Sequence, residues 1–183
     1  MNADFIHDDF LLESAPAREL YHRYAEPLPI IDYHCHLNPA EVAADKRWEN
    51  MAQIWLYGDH YKWRAMRTAG IAERYCTGDA GDWEKFEQYA GLMPKALRNP
   101  LYHWSHLELK RYFGVSRLLG PETARGIYDE CNVLLASPDF SSRSLMKKSK
   151  VEVVCTTDDP VDSLEHHAAI AGDPSFGIQV RPT

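Results

Sequence analysis

Apolar residues recur at three- and four-residue spacing from residue 38 to about 150, punctuated by Gly and Pro. That period predicts helices almost throughout the stretch. Asp59 caps a predicted helix over 60–69 that Gly70 ends, and a second covers 83–92 with Pro94 just beyond it. A third, over 102–113, stops at Gly114. Pro121 fits the first turn of a fourth reaching residue 135, and a short helix follows the pair Ser141-Ser142. The pattern differs on both flanks. Residues 1–27 carry two short helical stretches, the second around 16–25, and after Pro27 and Pro29 the run Ile30-Ile31-Asp32-Tyr33-His34-Cys35-His36-Leu37 predicts a strand. Beyond residue 150, Val151-Glu152-Val153-Val154-Cys155 predicts a second strand. Asp159-Pro160 then predicts a helix start, with Val161, Leu164, Ala168 and Ala171 as its apolar face and Gly172 as its end, and 176–180 predicts a third strand. Strand, helix and strand in so short a span make a βαβ unit with a parallel pair and a right-handed crossover.

These elements describe an α/β protein: a partial (β/α)8 TIM-type barrel of about three strands, with a long, mostly helical insertion after the first. The expected divisions are 1–37 (lead-in and first strand), 38–150 (insertion) and 151–183 (the βαβ start of the remaining barrel). A closed barrel takes about 250 residues, so 183 residues read as the beginning of one. Composition narrows the function classes. With 45% hydrophobic and 26% charged residues, the chain is neither disordered nor fibrous. A net charge of −7 without a basic stripe disfavours nucleic acid and anionic membranes as partners. The acidic start over residues 1–9 and the lack of an apolar run of roughly 18 residues make a cytoplasmic protein the expectation. The four cysteines form no close pair and are expected as reduced thiols.

Candidate chemistry sits on the first predicted strand. Alternate side chains share a face, so Ile30, Asp32, His34 and His36 point one way and Ile31, Tyr33, Cys35 and Leu37 the other. The second face suits packing on helices, and the first places two imidazoles at its C-terminal end, where a barrel presents its ligands. Imidazoles at i and i+2 can chelate one divalent cation, zinc being the expected ion. The plainer alternative is a pair of histidines hydrogen-bonded in a polar core.

Three segments together resemble the uronate (glucuronate) isomerases of the amidohydrolase superfamily. These are the D-x-H-x-H-L strand end (32–37), the run Ile54-Trp55-Leu56-Tyr57 followed by G-D-H-Y-K-W-R-A-M-R (58–67), and Thr156 with T-D-D-P (157–160). The likeness extends over the whole chain. It implies an aldose–ketose isomerase that interconverts D-glucuronate with D-fructuronate, and D-galacturonate with D-tagaturonate, on a (β/α)8 barrel. His34 and His36 match its metal-ligand histidines. Tyr61 matches a tyrosine that reaches the substrate, a catalytic candidate, and Arg181 in Arg-Pro-Thr falls where a substrate-binding arginine is expected. The family's metal-binding aspartate and further site residues come from later strands, so isomerase activity is expected of a longer polypeptide, with a homo-oligomer admitted for that form, and not of these 183 residues alone.

Simple chemistry supplies partners for the uronate carboxylate: N–H groups at the turn His60-Tyr61, and guanidinium forks from Arg64, Arg67 and Arg181. Structural alternatives stand beside each residue. Tyr61 shares a stripe with Ile54, Gly58 and Ala65 that reads as packing. His103 and His106 read as packing or cap residues, and His166-His167 as a solvated or helix-packing pair. Asp158 and Asp159 read as helix caps, and Lys147, Lys148 and Lys150 as a run complementing a helix dipole. Two other functions are compatible with these residues: metal-dependent hydrolysis by an activated water, and a non-catalytic helical binding module.

Overall fold

The computed structural model describes residues 4–183, so part of the acidic start lies outside the described residues. In chain order the helices and strands are α1 (Ala15–Leu20), β1 (Ile30–Cys35), α2 (Pro39–Ala43), α3 (Met51–Leu56), α4 (His60–Thr68), α5 (Glu73–Cys76), α6 (Asp82–Leu92), α7 (Pro100–Phe113), α8 (Ala124–Leu135), α9 (Ser142–Lys148), β2 (Val151–Thr156), α10 (Glu165–Ala171) and β3 (Gln179–Pro182). They fall into two compact units. One holds Leu12–Arg47 with Pro138–Thr183 and contains the strands; the other holds Met1–Leu11 with Trp48–Ser137 and is helical. No helix of the described residues is long and apolar enough to cross a membrane.

Short polar side chains start most of these helices by accepting the first free N–H groups. Asn38 accepts from Ala40 N at 2.9 Å and Asn99 from Leu101 N at 3.0 Å, each followed by a proline at the first helical position. Asp59 accepts from Tyr61 N and Lys62 N at 2.9 and 3.0 Å, as its sequence position predicts. At the other end of α7, Gly114 takes a left-handed conformation (φ 69°), a geometry open to glycine without a Cβ clash.

In the strand-bearing unit, β2 lies between β1 and β3, and both pairings are parallel. An α/β arrangement with a three-stranded parallel sheet is therefore present, and β1 and β3 are its edges. Cys35, Val42, Met146, Val154, Ile170, Phe176, Ile178 and Val180 form its core. Arg143 ties the surrounding helices together. Its guanidinium donates to the Val42 and Ala43 carbonyls at 2.8 and 3.1 Å, at the end of α2, and to Asp173 Oδ2 at 2.5 Å, just past α10. The Ser175 hydroxyl, with Arg143, holds the Asp173 carboxyl down to about 2.

The helical unit packs Trp55 against Phe86 with ring centroids 6.0 Å apart, and Phe86 against Tyr128 at 5.0 Å. Asp82, the first residue of α6, receives Asn50 Nδ2 at 2.7 Å and the Tyr57 hydroxyl, which fixes α3 against α6.

Several sequence expectations are corrected. The first helical stretch of the lead-in does not occur among its described residues, which form a turn closed by Phe10 N donating to the His7 carbonyl at 2.9 Å. Pro121 does not open α8, which begins at Ala124. Asp159-Pro160 does not start a helix either. The Asp159 carboxylate accepts from Val161 N and its own N–H donates to Asp162 Oδ2, both at 3.0 Å, closing a local turn that competes with the helix. As a result α10 begins at Glu165, Val161 is 88% exposed, and the buried face of the helix is His167 and Ile170. Gly177 at φ 76° breaks the third strand, so Phe176 and Ile178 fill the core before β3 begins. On β1, Cys35 alone of the predicted apolar face packs inward, while Ile31 and Tyr33 are 64% and 84% exposed.

The Asp59 cap generates a prediction. Burial disfavours its ionised form, but the Lys62 ammonium, 2.6 Å from Oδ2, and two N–H donors outweigh that and hold the carboxyl below its usual value. Its stabilisation is full above about pH 3.9 and is lost as pH falls through the lowered folded value. Asp59→Ala is expected to cost about 2 kcal/mol at pH 7 and to flatten the acid limb of stability, both read by urea unfolding against pH.

Candidate functional site

The C-terminal end of β1 carries the two histidines. Pairing with β2 is regular at Asp32↔Val154 and resumes at Cys35↔Thr156, three residues advancing on β1 against two on β2. This bulge re-aims the strand end. His34 and His36 are brought together: their ring centroids are 5.1 Å apart, the planes cross at 89°, and both residues are exposed. Asp32 Oδ1 accepts from His34 N at 3.3 Å, which orders the turn between them. Cys35 points the other way, and burial pushes its thiol pKa up, so the sulfur between the histidines stays a neutral core atom rather than a ligand. Among the described residues no group of three His, Cys, Asp or Glu side chains could hold a metal ion. The imidazole pair has the right donors for a divalent cation and offers two of the four that a tetrahedral site needs.

Arg181 lies on β3, opposite Cys155 across the β2–β3 pairing, and is exposed. Its Nη2 donates to Gln179 Oε1 at 2.8 Å. The parallel sheet thus presents the histidines and Arg181 on its two outer strands, toward the C-terminal ends.

Between them runs a buried polar network that the sequence reading missed. Thr156 Oγ1 lies 2.7 Å from Asp158 Oδ2, 2.8 Å from His167 Nε2 and 3.2 Å from the Arg181 carbonyl. Asp158 is therefore no helix cap. It faces Thr156, with His167 Nε2 3.7 Å from its Oδ2 and both side chains 9% exposed. His166 and His167 also part company, His166 remaining solvated beside Glu165. The available signal was the three-residue spacing of His167 and Ile170, which places the imidazole on the face of α10 that packs on the sheet.

Tyr61 belongs to the helical unit, in the first turn of α4. It is 53% exposed, so it is not core packing. It lines an open cleft of about 570 Å³ with Arg64, Lys95, Arg98, Leu101 and Trp104. The His60 ring lies 4.6 Å from the Tyr61 ring, and the Arg64 guanidinium 5.8 Å. Arg64, Lys95 and Arg98 have no ion-pair partner among the described residues, whereas Arg67, Arg74, Arg117 and Arg125 of the same unit are all paired. Two expected carboxylate partners are thereby withdrawn. Arg67 is committed to Glu73 through a two-pronged contact at 2.7 and 2.5 Å, and in the turn after His60 the Tyr61 and Lys62 N–H groups are taken by Asp59.

His106 is no ligand. Its Nδ1 lies 2.5 Å from the Tyr102 carbonyl, and its Nε2 accepts from Leu119 N at 2.8 Å, so both ring nitrogens serve the backbone.

The chain matches the glucuronate isomerase family over residues 1–183. It is 57% identical over 180 residues to a uronate isomerase of Cellvibrio japonicus and 56% identical over 181 residues to one of Bacteroides thetaiotaomicron, covering 98% of this chain and 38% of each relative. The chain therefore spans well under half the length of these relatives. Its fold is similar to crystal structures of a uronate isomerase from Thermotoga maritima (TM-score 0.92, 36% identity, 98% of this chain and 39% of that one) and a glucuronate isomerase from Caulobacter crescentus (0.88, 27%, 97% and 39%).

The buried His106 ring yields a pH prediction. Burial lowers its pKa below 6.5 despite the Tyr102 carbonyl, so unfolding makes protonation easier. Stability is full above about pH 6.5 and declines as pH falls toward the lowered folded value. His106→Gln, which can serve only one of the two backbone groups, should cost about 1–3 kcal/mol at pH 8 and remove that slope. Urea unfolding at pH 8, 6.5 and 5 reads both effects, and an unchanged slope would assign it to another group.

Proposed function

Because this chain belongs to the glucuronate isomerase family, we propose that it forms the N-terminal part of a (β/α)8 enzyme that interconverts aldose and ketose forms of uronates. D-glucuronate with D-fructuronate, and D-galacturonate with D-tagaturonate, are the substrate pairs. The proposed organisation is a lead-in and first strand (1–37), a helical insertion (38–150) and a return to the barrel (151–183). The observation that carries the reading is the imidazole pair, 5.1 Å apart at the end of β1, in a chain 57% identical to a uronate isomerase.

Moving a carbonyl between C1 and C2 requires a base at the C2 proton, stabilisation of the enediolate, and a proton delivered to C1. His34 and His36 would hold a divalent cation, zinc by the preference of imidazole, with the remaining ligands supplied by the rest of the polypeptide. A cation held there would supply Lewis-acid polarisation of a substrate oxygen. Arg181 offers a two-pronged site for the uronate carboxylate. Tyr61 presents a phenol that donates a hydrogen bond to a sugar oxygen, in a cleft whose cations Arg64, Lys95 and Arg98 suit an anionic sugar and whose Trp104 offers an apolar ring face.

Steady-state assays with D-glucuronate test this directly, comparing these 183 residues with a polypeptide carried to the full length of its relatives. Turnover is expected from the longer form only, and comparable rates from both would overturn the division of labour. In the longer form, His34→Asn and His36→Asn should lower kcat/KM by more than the ~10–100-fold typical of losing a supporting partner around a metal. Hydrolysis of lactones or amides without uronate isomerisation would replace this reading with the hydrolase alternative.

A further inference from the structure

The Thr156–Asp158–His167 network has no place in the chemistry above, yet it joins the two strand ends on which that chemistry stands. A hydroxyl carries one hydrogen and an ionised carboxylate only accepts. Thr156 Oγ1 therefore donates to Asp158 Oδ2 at 2.7 Å, and the 3.2 Å contact with the Arg181 carbonyl is the weaker arm of the same shared hydrogen. The lone pairs of Oγ1 remain free to accept from His167 Nε2–H at 2.8 Å. Thr156 is fully buried, so each of these groups depends on the others for its partner.

The backbone of this turn holds both neighbours. On the β3 side, the Thr156 carbonyl accepts from Thr183 N at 3.1 Å and Thr183 Oγ1 at 2.6 Å, and Asp158 N donates to the Thr183 carbonyl at 3.3 Å. On the β1 side, Thr157 Oγ1 donates at 3.1 Å to the carbonyl of Cys35, the residue between the two histidines. A shift of the turn would move Arg181 relative to His34 and His36.

We propose that His167 is a positioning residue: from α10, through Thr156 and Asp158, it fixes the turn that sets the spacing between Arg181 and the His34–His36 pair, and so where a substrate carboxylate sits. This rests on the isomerase reading. His167 touches neither substrate nor ion. Its effect should appear in binding of the carboxylate, since losing an interaction made equally in ground and transition states raises KM and leaves kcat unchanged.

The test is a double-mutant cycle in the full-length polypeptide, with D-glucuronate as substrate. His167→Leu should raise KM about tenfold with kcat changed by less than about threefold, while His167→Gln, which keeps an N–H near the Nε2 position, should stay within about threefold of the parent in both. In an Arg181→Gln background, His167→Leu should no longer move KM, because the group it positions is gone. Should the leucine variant fail to fold, Thr156→Ser against Thr156→Val carries the same comparison. Additive effects of His167→Leu and Arg181→Gln, or a fall in kcat at constant KM, would overturn the inference alone. Absence of uronate isomerisation in the parent protein would overturn the isomerase reading and this inference with it.

Discussion

The parallel pairing of Ile30–Cys35 with Val151–Thr156 is the contact on which the rest depends. It joins two segments separated by the whole helical unit, and parallel strands cannot be closed by a tight turn. A flexible connection of that length would cost several kcal/mol of closure entropy; here the intervening residues form a packed unit of their own, which leaves far less freedom to lose. Once the two strands meet, β2 has a neighbour on each side. The Thr156–Asp158 turn then reaches both the carbonyl between the histidines and the Arg181 segment.

Much of this was legible in the sequence wherever the signal was local. Asp59 ahead of α4, Gly114 after α7 and Ser141 ahead of α9 act through atoms within five residues of themselves, and these helix ends fall at or within one residue of where the pattern placed them. The first two strands followed from β-branched runs, the first of them just after two prolines. The errors arise where a second local solution, or a distant partner, decides the outcome. Asp159-Pro160 has the composition of a helix start, but Asp162 offers a competing turn. Ile31 and Tyr33 alternate correctly for a strand with two faces, yet which face is covered depends on what packs there.

The site was legible to a lesser degree, for the same reason. Alternation along β1 places His34 and His36 on one side, and the bulge at that point preserves their proximity. Nothing local distinguishes Arg64 from Arg67: both are basic and on one helix, and only Glu73 removes the second. His167 was harder still, because its partner Thr156 lies on another element and its immediate neighbour His166 is solvated. Three-residue spacing assigns such a residue to a face, but the hydrogen bond that gives it a purpose is made across the crossover.

The cleft beside Tyr61 has one further consequence. Its lining includes three cations with no ion-pair partner among the described residues, on a chain whose net charge is −7. An approaching anion meets a net repulsion from the chain and a local attraction near those cations, and a field of that kind governs encounter rate more than residence time. Screening shortens its reach to about 8 Å at physiological ionic strength, roughly the span of a single sugar ring with its first water layer. Capture of a charged monosaccharide there would be a short-range event, more sensitive to dissolved salt than to the bulk charge of the polypeptide.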